Sequence, residues 1–321
     1  MANYVKISTL GPGAMSASAA GADKGQQAVD RMIEFWRNQL AQVLPQRPDL
    51  IVVPEACDRY AGHTPEQRRE YYRVRGDQVR DLFARTAREN SCHLAYAAAR
   101  EASPGVWLNS TQIIGRDGGL LGVYNKNHTT IGETMDAGIR VGTEAPVIQC
   151  DFGRVVCAIC FDLNFDELRL RYVQARPDLI LFSSMYHGGL MQNYWAYSCR
   201  SHFIGAINGL QCTVISPLGE LLAASTNYFH HVTTTVNLDC RVVHLDCNGE
   251  RLRAMRDKYG PKVRVHDCGH LGAVLISSET DEMTIDELVE EFEVELLDDY
   301  WRRSRAMRED PALRYSETAG G

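Results

Sequence analysis

The stretch RVVCAICFDLNFDE, residues 154–167, holds two cysteines, Cys157 and Cys160, three positions apart. Thiols at that spacing admit three chemistries: a metal clip, a redox pair, or one nucleophile beside an ordinary core residue. An apolar β-type run leads into Cys160, and helical periodicity follows it in FDLNFDELRLRYVQ. A strand-to-helix turn there sets the Cys160 side chain at an exposed elbow, where a helix start lowers a thiol pKa from about 8.5. Side chains three apart on a strand point to opposite faces, so the two thiols diverge and neither chelate one ion nor close an unstrained disulfide. Cys157 is therefore expected in the core, and Cys160 is expected to alkylate first among the ten cysteines.

Two further strand-like runs end on residues with catalytic potential, DLIVVPE on Glu55 and LLGVYNK on Lys126. The carboxyl ends of strands are where sites assemble in open α/β sheets. Taken singly, a Glu or Lys just past a strand reads as a solvated loop residue and a Cys there as packing; the switch to helical periodicity after Cys160 strengthens its case. Tyr60, His128, Tyr186, His187, Asn193 and Trp195 lie just past the predicted strand ends and are candidates for the pocket wall. Cys240, His244 and Cys247 alternate as a strand does, without the two compact ligand pairs of a zinc site, so no metal is expected there.

Positioning these residues requires strands alternating with helices. YVKISTL, PDLIVVPE, CHLAYAAA, STQIIG, LLGVYNK, RVVCAIC, PDLILFSS, QCTVIS and GAVLISSE read as strands. QAVDRMIEFWRNQLAQVL, RGDQVRDLFARTAREN and NFDELRLRYVQA read as helices between them, which predicts an α/β fold with covered sheets. An internal echo pairs PDLIVV at Pro48 with PDLILF at Pro177, and IIGRDGGLL at Ile113 with VISPLGELL at Val214. Two similar halves explain it, and so does the reuse of Pro, Asp and Gly as turn residues. Near the end, Thr284 and Glu287 have capping-box spacing, and Ile285, Leu288, Val289, Phe292 and Leu296 follow a helical rhythm. The expected division is a main domain over 1–280 and a C-terminal amphipathic helix and tail over 281–321, with the closing DPALRYSETAGG loosely held.

Length and composition fit a folded chain. Its 321 residues are 45% hydrophobic and 23% charged, enough for a large core. A formal charge of −7, with basic and acidic residues interspersed, argues against nucleic acid as a partner. The absence of a basic-then-apolar start and of any run of about 18 apolar residues argues against a membrane span, so a cytoplasmic protein with reduced thiols is expected.

Glu55 in VVPEACDRY, Lys126 in VYNKNH and Cys160 in CAICFDLNFDEL follow the order and setting of the nitrilase superfamily of carbon–nitrogen hydrolases. The chain resembles its amidase and carbamoylase-like branches over about residues 4–250, and GLQCTVISPLGELLA resembles the family's strand-turn-strand near the site. The resemblance implies a four-layer αββα sandwich, assembled as a homodimer or larger homo-oligomer through helices and C-terminal tails. It implies Glu55 as general base, Lys126 as oxyanion-stabilising cation, Cys160 as nucleophile, and Glu133 in KNHTTIGE as the second glutamate, orienting Lys126 or the substrate amine. The backbone N–H of Phe161 would be the second oxyanion donor, and no cofactor is required. The expected reaction is hydrolysis of a small amide or N-carbamoyl compound through a thioester. Nitrile hydrolysis and acyl transfer share the same triad, and a catalytically silent oligomeric homologue or a C-x-x-C redox protein are the other classes. Two departures stand out: Cys157 occupies a position the family commonly gives to a small residue, and NHTTIGETMDAGIRVG leaves the substrate open.

Overall fold

The computed structural model describes residues 1–17 and 24–315. They form two compact units, Tyr4–Leu238 and, separately, Met1–Asn3 with Asp239–Gly321. The first unit opens with β1 (Tyr4–Leu10), α1 (Gly25–Ala41), β2 (Leu50–Val52), α2 (Pro65–Arg75), α3 (Gln78–Asn90) and β3 (His93–Ser103). Next come β4 (Val106–Ile114), β5 (Leu120–Asn125), the short α4 (Ile131–Met135), β6 (Ile139–Arg140) and β7 (Ile148–Cys150). β8 (Gly153–Ile159), α5 (Asp166–Ala175), β9 (Leu179–Ser184), α6 (Leu190–Cys199) and β10 (His202–Ile207) follow. β11 (Thr213–Ile215), β12 (Leu221–Ala224) and β13 (His231–Asn237) complete the unit.

The strands make two sheets, ordered β13-β1-β2-β3-β4-β5, with β6 beside β4, and β12-β11-β10-β9-β8-β7. The run Leu50-Ile51-Val52-Val53 shows why the central strands are apolar throughout. Pleating sends Leu50 and Val52 to the core between the sheets, where they join Val156, Ala158 and Leu181. Ile51 and Val53 face the other way, onto Val29, Met32, Trp36 and Leu40 of α1 and Phe83 of α3. On the far side of the second sheet, Leu168 and Tyr172 of α5 and Trp195 and Ala196 of α6 close the inter-sheet core cluster. The layers are thus helix, sheet, sheet, helix, the αββα sandwich that the resemblance implies.

The internal echo extends to topology. β1, β2 and β3 are mutually parallel and continue into an antiparallel β4-β5 hairpin. β8, β9 and β10 repeat the arrangement and continue into β11-β12. The Pro-Asp-Leu aspartates do the same work in each half. Asp49 accepts the Lys6 N–H at 2.9 Å with its carboxylate and the His93 N–H at 2.7 Å with its carbonyl. Asp178 accepts the Arg154 N–H at 2.7 Å with its carboxylate and the His202 N–H at 3.1 Å with its carbonyl. A turn residue that clamps the strand before it and starts the strand after it requires Asp for geometry, which is why the motif recurs.

In the second unit, β14 (Cys240–His244), β15 (Val263–Asp267) and β16 (Ala273–Ser278) form an antiparallel sheet in the order β14-β16-β15. α7 (Gly249–Tyr259), α8 (Ile285–Glu291) and α9 (Leu297–Glu309) accompany it. The sequence placed a boundary at 280, whereas this compact unit begins at Asp239. The expected long C-terminal helix is two helices: α8 opens on the Thr284–Glu287 capping box and ends at Glu291, and Glu293 turns the chain with φ +51°. Apolar spacing continues across the break because Phe292, Val294 and Leu296 pack into the same core from non-helical backbone. Ile285 and Leu288 are buried against Val243, Val274 and Ile276, so the stripe finds its partner within its own unit. In the closing segment Pro311–Leu313 forms a 3-10 turn, and residues 316–321 lie outside the described residues. Among the described residues no helix is long and apolar enough to cross a membrane.

Two outcomes follow for stability. Truncation before Thr284 removes Ile285, Leu288, Val294 and Leu297 from a small core, so the melting temperature should fall; unchanged melting would show that the segment is dispensable. Burial pushes the His202 imidazole down from 6.5 to about 4. The unfolded chain then takes up a proton before the folded one does. The corresponding stability, roughly 3 kcal/mol, is present above about pH 6.5 and is lost as pH falls through about 4. Melting curves across this window should be flatter for His202→Leu than for the parent, and equal slopes would refute the assignment.

Candidate active site

Glu55 lies in the turn that leaves β2. Past the strand, the Val53 and Cys57 N–H groups donate to Ala95 and Ala97 carbonyls at 3.4 and 2.9 Å, extending the pairing with β3. Ala56 between them takes φ +46°, an unusual conformation for a residue with a Cβ. The turn is fastened by Trp36 Nε1 donating to the Cys57 carbonyl at 2.9 Å and by Ser183 Oγ, from the second sheet, donating to the Val53 carbonyl at 2.8 Å. Beneath it, buried Asp58 accepts from Arg75 Nη1 at 2.7 Å and from the Tyr96 hydroxyl at 2.5 Å. Glu55 is left 3% exposed with a fixed carboxylate.

Lys126 follows β5 directly and is 1% exposed. Its Nζ donates to Glu55 Oε1 at 2.7 Å and to Glu133 Oε2 and Oε1 at 2.7 and 3.0 Å. Burial alone would lower the ammonium's pKa; the Glu55 and Glu133 carboxylates outweigh it and hold Lys126 above its ordinary range. Glu133 is the third residue of α4, where its carboxylate also accepts the Thr130 N–H at 2.8 Å while the Thr130 hydroxyl accepts the Glu133 N–H at 3.3 Å. Burial raises the Glu133 pKa, but Lys126, the Thr130 N–H and Asn109 bring it below the usual carboxylate value. Asn109 of β4 bridges the two carboxylates, donating through Nδ2 to Glu55 at 2.8 Å and to Glu133 at 2.9 Å.

Cys160 is partly buried at the end of β8 with φ +48°, the first residue of a 3-10 turn over Cys160–Asn164. The turn is held by Asp162, whose carboxylate is fully buried. Its Oδ2 accepts the Ile159 N–H at 3.0 Å and the Tyr124 hydroxyl at 2.6 Å, and its Oδ1 accepts the His128 N–H at 2.7 Å. The Glu55 carboxylate, the Lys126 ammonium and the Met185 N–H all lie near enough to the thiol to act on its pKa. Burial first and the Glu55 charge second push it up to about 11, against the opposing pull of Lys126. The lowered thiol pKa expected from a helix start is therefore corrected. α5 begins only at Asp166, six positions on, and desolvation beside a carboxylate decides the matter.

The structure brings Glu55, Lys126 and Glu133 into one hydrogen-bonded cluster beside Cys160 and sets other expected residues around it or apart from it. Tyr186 packs beside Cys160, its hydroxyl accepting from Asn164 at 3.2 Å and its pKa pushed up to about 12 by burial and the Cys160 charge. Phe161 is 37% exposed and edges onto Phe165, whose ring stacks on His128 at 3.9 Å. Two pocket assignments are corrected. Tyr60 is fully buried in the helix-side core, its hydroxyl donating to the Ala28 carbonyl at 2.8 Å, because the chain turns back under α1 after Glu55. Asn193 is spent on the Gly219 carbonyl at 2.7 Å, tying α6 to the β11-β12 turn. Trp195 likewise is core. Cys157 is fully buried within β8 with its thiol pushed well up by burial, and both cysteines are free. Exposure does not favour first alkylation at Cys160, since Cys247 is the exposed thiol and Cys160 is partly buried. Asn109, Asp162 and Met185 escaped the sequence; only the position of Asp162, two residues after the candidate nucleophile, offered a signal.

The model of the carbon–nitrogen hydrolase family matches residues 16–243. A carbon–nitrogen hydrolase from Helicobacter pylori G27 is similar in structure, with 17% identity over 80% of this chain and 93% of its own and a TM-score of 0.61. An amidase from Nesterenkonia sp. has 16% identity over 78% of this chain and 95% of its own, with a TM-score of 0.59. Nit3 of Saccharomyces cerevisiae, a member of branch 10 of the nitrilase superfamily, has 15% identity over 81% and 95%, with a TM-score of 0.58. No curated protein matches the chain. These likenesses extend over the αββα unit, and with the family match they establish that the chain belongs to the carbon–nitrogen hydrolases of the nitrilase superfamily.

Proposed function

We propose that this protein hydrolyses the C–N bond of a small amide or N-carbamoyl compound through a thioester on Cys160. The observation that carries the proposal is a single buried carboxylate, Glu55, bonded to the Lys126 ammonium and set close enough to the Cys160 thiol to oppose its ionisation. A thiol raised to about 11 is protonated at neutral pH and needs a base at contact distance. Glu55 takes the S–H proton as sulfur attacks the carbonyl carbon. The oxyanion that forms is met by Lys126, whose positive charge is already in place and dehydrated, with the Phe161 N–H as second donor. Collapse breaks the C–N bond, and Glu55 returns its proton to the departing ammonia or amine. Water, deprotonated by Glu55, then attacks the thioester and releases the acid and the thiol. Glu133 and Asn109 orient the pair. The structure of a glutamate-to-glutamine variant of the Nesterenkonia sp. AN1 amidase shows the acetamide moiety of fluoroacetamide added covalently at its active-site cysteine, and a cysteine-to-alanine variant binds butyramide. The first supports a nucleophilic cysteine at this place in the fold, and the second a pocket for an amide of this size.

Lys126→Gln should lower kcat by about 10²–10³ as a charged oxyanion donor is lost. It should also lower thermal stability, since Glu55 and Glu133 are left buried together without a counter-charge. Ammonia release over a panel of amides and ureido acids reads the first effect and melting the second; near-parental turnover removes Lys126 from the chemistry. For the thiol, peptide mapping after brief iodoacetamide treatment should show Cys160 labelling that climbs from about pH 7 towards 10 without levelling. A plateau near neutrality would mean that the thiol is already ionised and that Glu55 is not its base.

A further inference from the structure

Beside the cluster lies a cavity whose wall includes Asn109 and Glu133 on one side and Arg59, Arg68, Tyr72 and Trp107 on the other. Several buried and half-buried arginines elsewhere in this unit have acidic partners, Arg75 with Asp58, Arg116 with Asp49 and Asp151, and Arg169 with Asp166, while Arg100, away from this cavity, meets the Asn125 side chain. Arg59 and Arg68 have none among the described residues, in a chain where acids outnumber bases by 41 to 34. The Arg59 guanidinium reaches Met185 Sδ at 3.6 Å, and Arg68 reaches the His63 carbonyl at 3.4 Å while its Nε is buried without an acceptor. Burial and the neighbouring Arg59 charge depress the Arg68 pKa, with Tyr72 opposing them. Two adjacent guanidinium groups, partly desolvated and unpaired, are a standing cost that an anion would relieve. Met185 links Arg59 to the cluster, because the residue whose sulfur meets Arg59 gives its N–H to Glu55 at 3.2 Å.

Resting on the assignment of Cys160 as nucleophile, we infer that the substrate carries a carboxylate, separated from the scissile C–N bond by a short chain, and that Arg59 and Arg68 hold this carboxylate. Tyr72 and Trp107, stacked at 5.5 Å, form the apolar wall along which that chain lies. Arginine suits this task because its planar fork matches both carboxylate oxygens. The neighbouring Arg69 is already committed to Glu66 at 3.1 Å.

The test compares monoamides of linear dicarboxylic acids, from malonic to adipic, with the uncharged primary amides of the same chain lengths. For at least one length, kcat/KM should favour the carboxylate by tenfold or more. Arg68→Met and Arg59→Met should each cut that ratio about tenfold through KM, whereas Arg85→Met, at an exposed position on α3, should keep it. Titration calorimetry on Cys160→Ala should show the same preference without turnover, and melting curves verify that each variant is folded. Neutral amides hydrolysed as well as or better than their carboxylate counterparts, or a preference that survives both arginine changes, would overturn the inference while leaving the amidase proposal standing. If neither series is hydrolysed, the amidase proposal falls, and calorimetry still decides whether the arginines select an anion.

Discussion

A lysine ammonium fixed in a buried site between two carboxylates is the constraint around which the catalytic end of this unit is arranged. Removing an ammonium from water is unfavourable by several kcal/mol unless its hydrogens are met, and Lys126 meets Glu55 and Glu133 at bonding distance. Two carboxylates brought to one ammonium repel each other, and Asn109 relieves this by donating one N–H to each. The result is a fixed dipolar cluster beside the thiol, whose ionisation Glu55 opposes and Lys126 favours. In the proposed mechanism a Cys at this place needs no lowered pKa of its own, since Glu55 is placed to receive its proton and the oxyanion would meet a cation that was desolvated during folding.

The repeated half explains how such distant residues meet. Each half ends its parallel strands at the same edge, so the turn after β2, carrying Glu55, and the turns after β8 and β9, carrying Cys160 and Met185, face one another across the inter-sheet core. The Ser183 hydroxyl bonded to the Val53 carbonyl joins the two sheets at that edge. Non-glycine residues with positive φ occur at Ala56, beside Glu55, and at Cys160. Backbone strain of this kind persists where the surroundings over-determine it, and here the Asp58 and Asp162 networks do so from below each turn.

Strand ends were legible in the sequence because apolar runs and turn residues are local signals, and Glu55, Lys126 and Cys160 stood at three of them. Glu133 was found through resemblance alone; nothing in KNHTTIGE distinguishes a capping glutamate from one that also meets a lysine. Asn109 sits in the alternating strand VWLNSTQII, where a polar residue reads as solvent-facing, and its role appears only when Glu55 arrives from 54 positions away. Desolvation is invisible to local spacing, so the thiol pKa was expected to move in the wrong direction. Tyr60 and Asn193 lay near strand ends in the chain, yet proximity in sequence does not fix direction, and each turned into packing.

Glu133 serves two masters, the Lys126 ammonium and the Thr130 N–H at the start of α4. A helix of five residues, with Ile131 and Met135 83% and 77% exposed, has little packing to hold it. Its folding therefore leans on the charge of a residue that belongs to the catalytic cluster. The local order of this surface segment and the electrostatic state of the buried centre are thermodynamically linked, so whatever weakens the ammonium's hold on Glu133 loosens the outer helix, and whatever unwinds the helix returns a carboxylate to water and leaves the lysine to Glu55 alone.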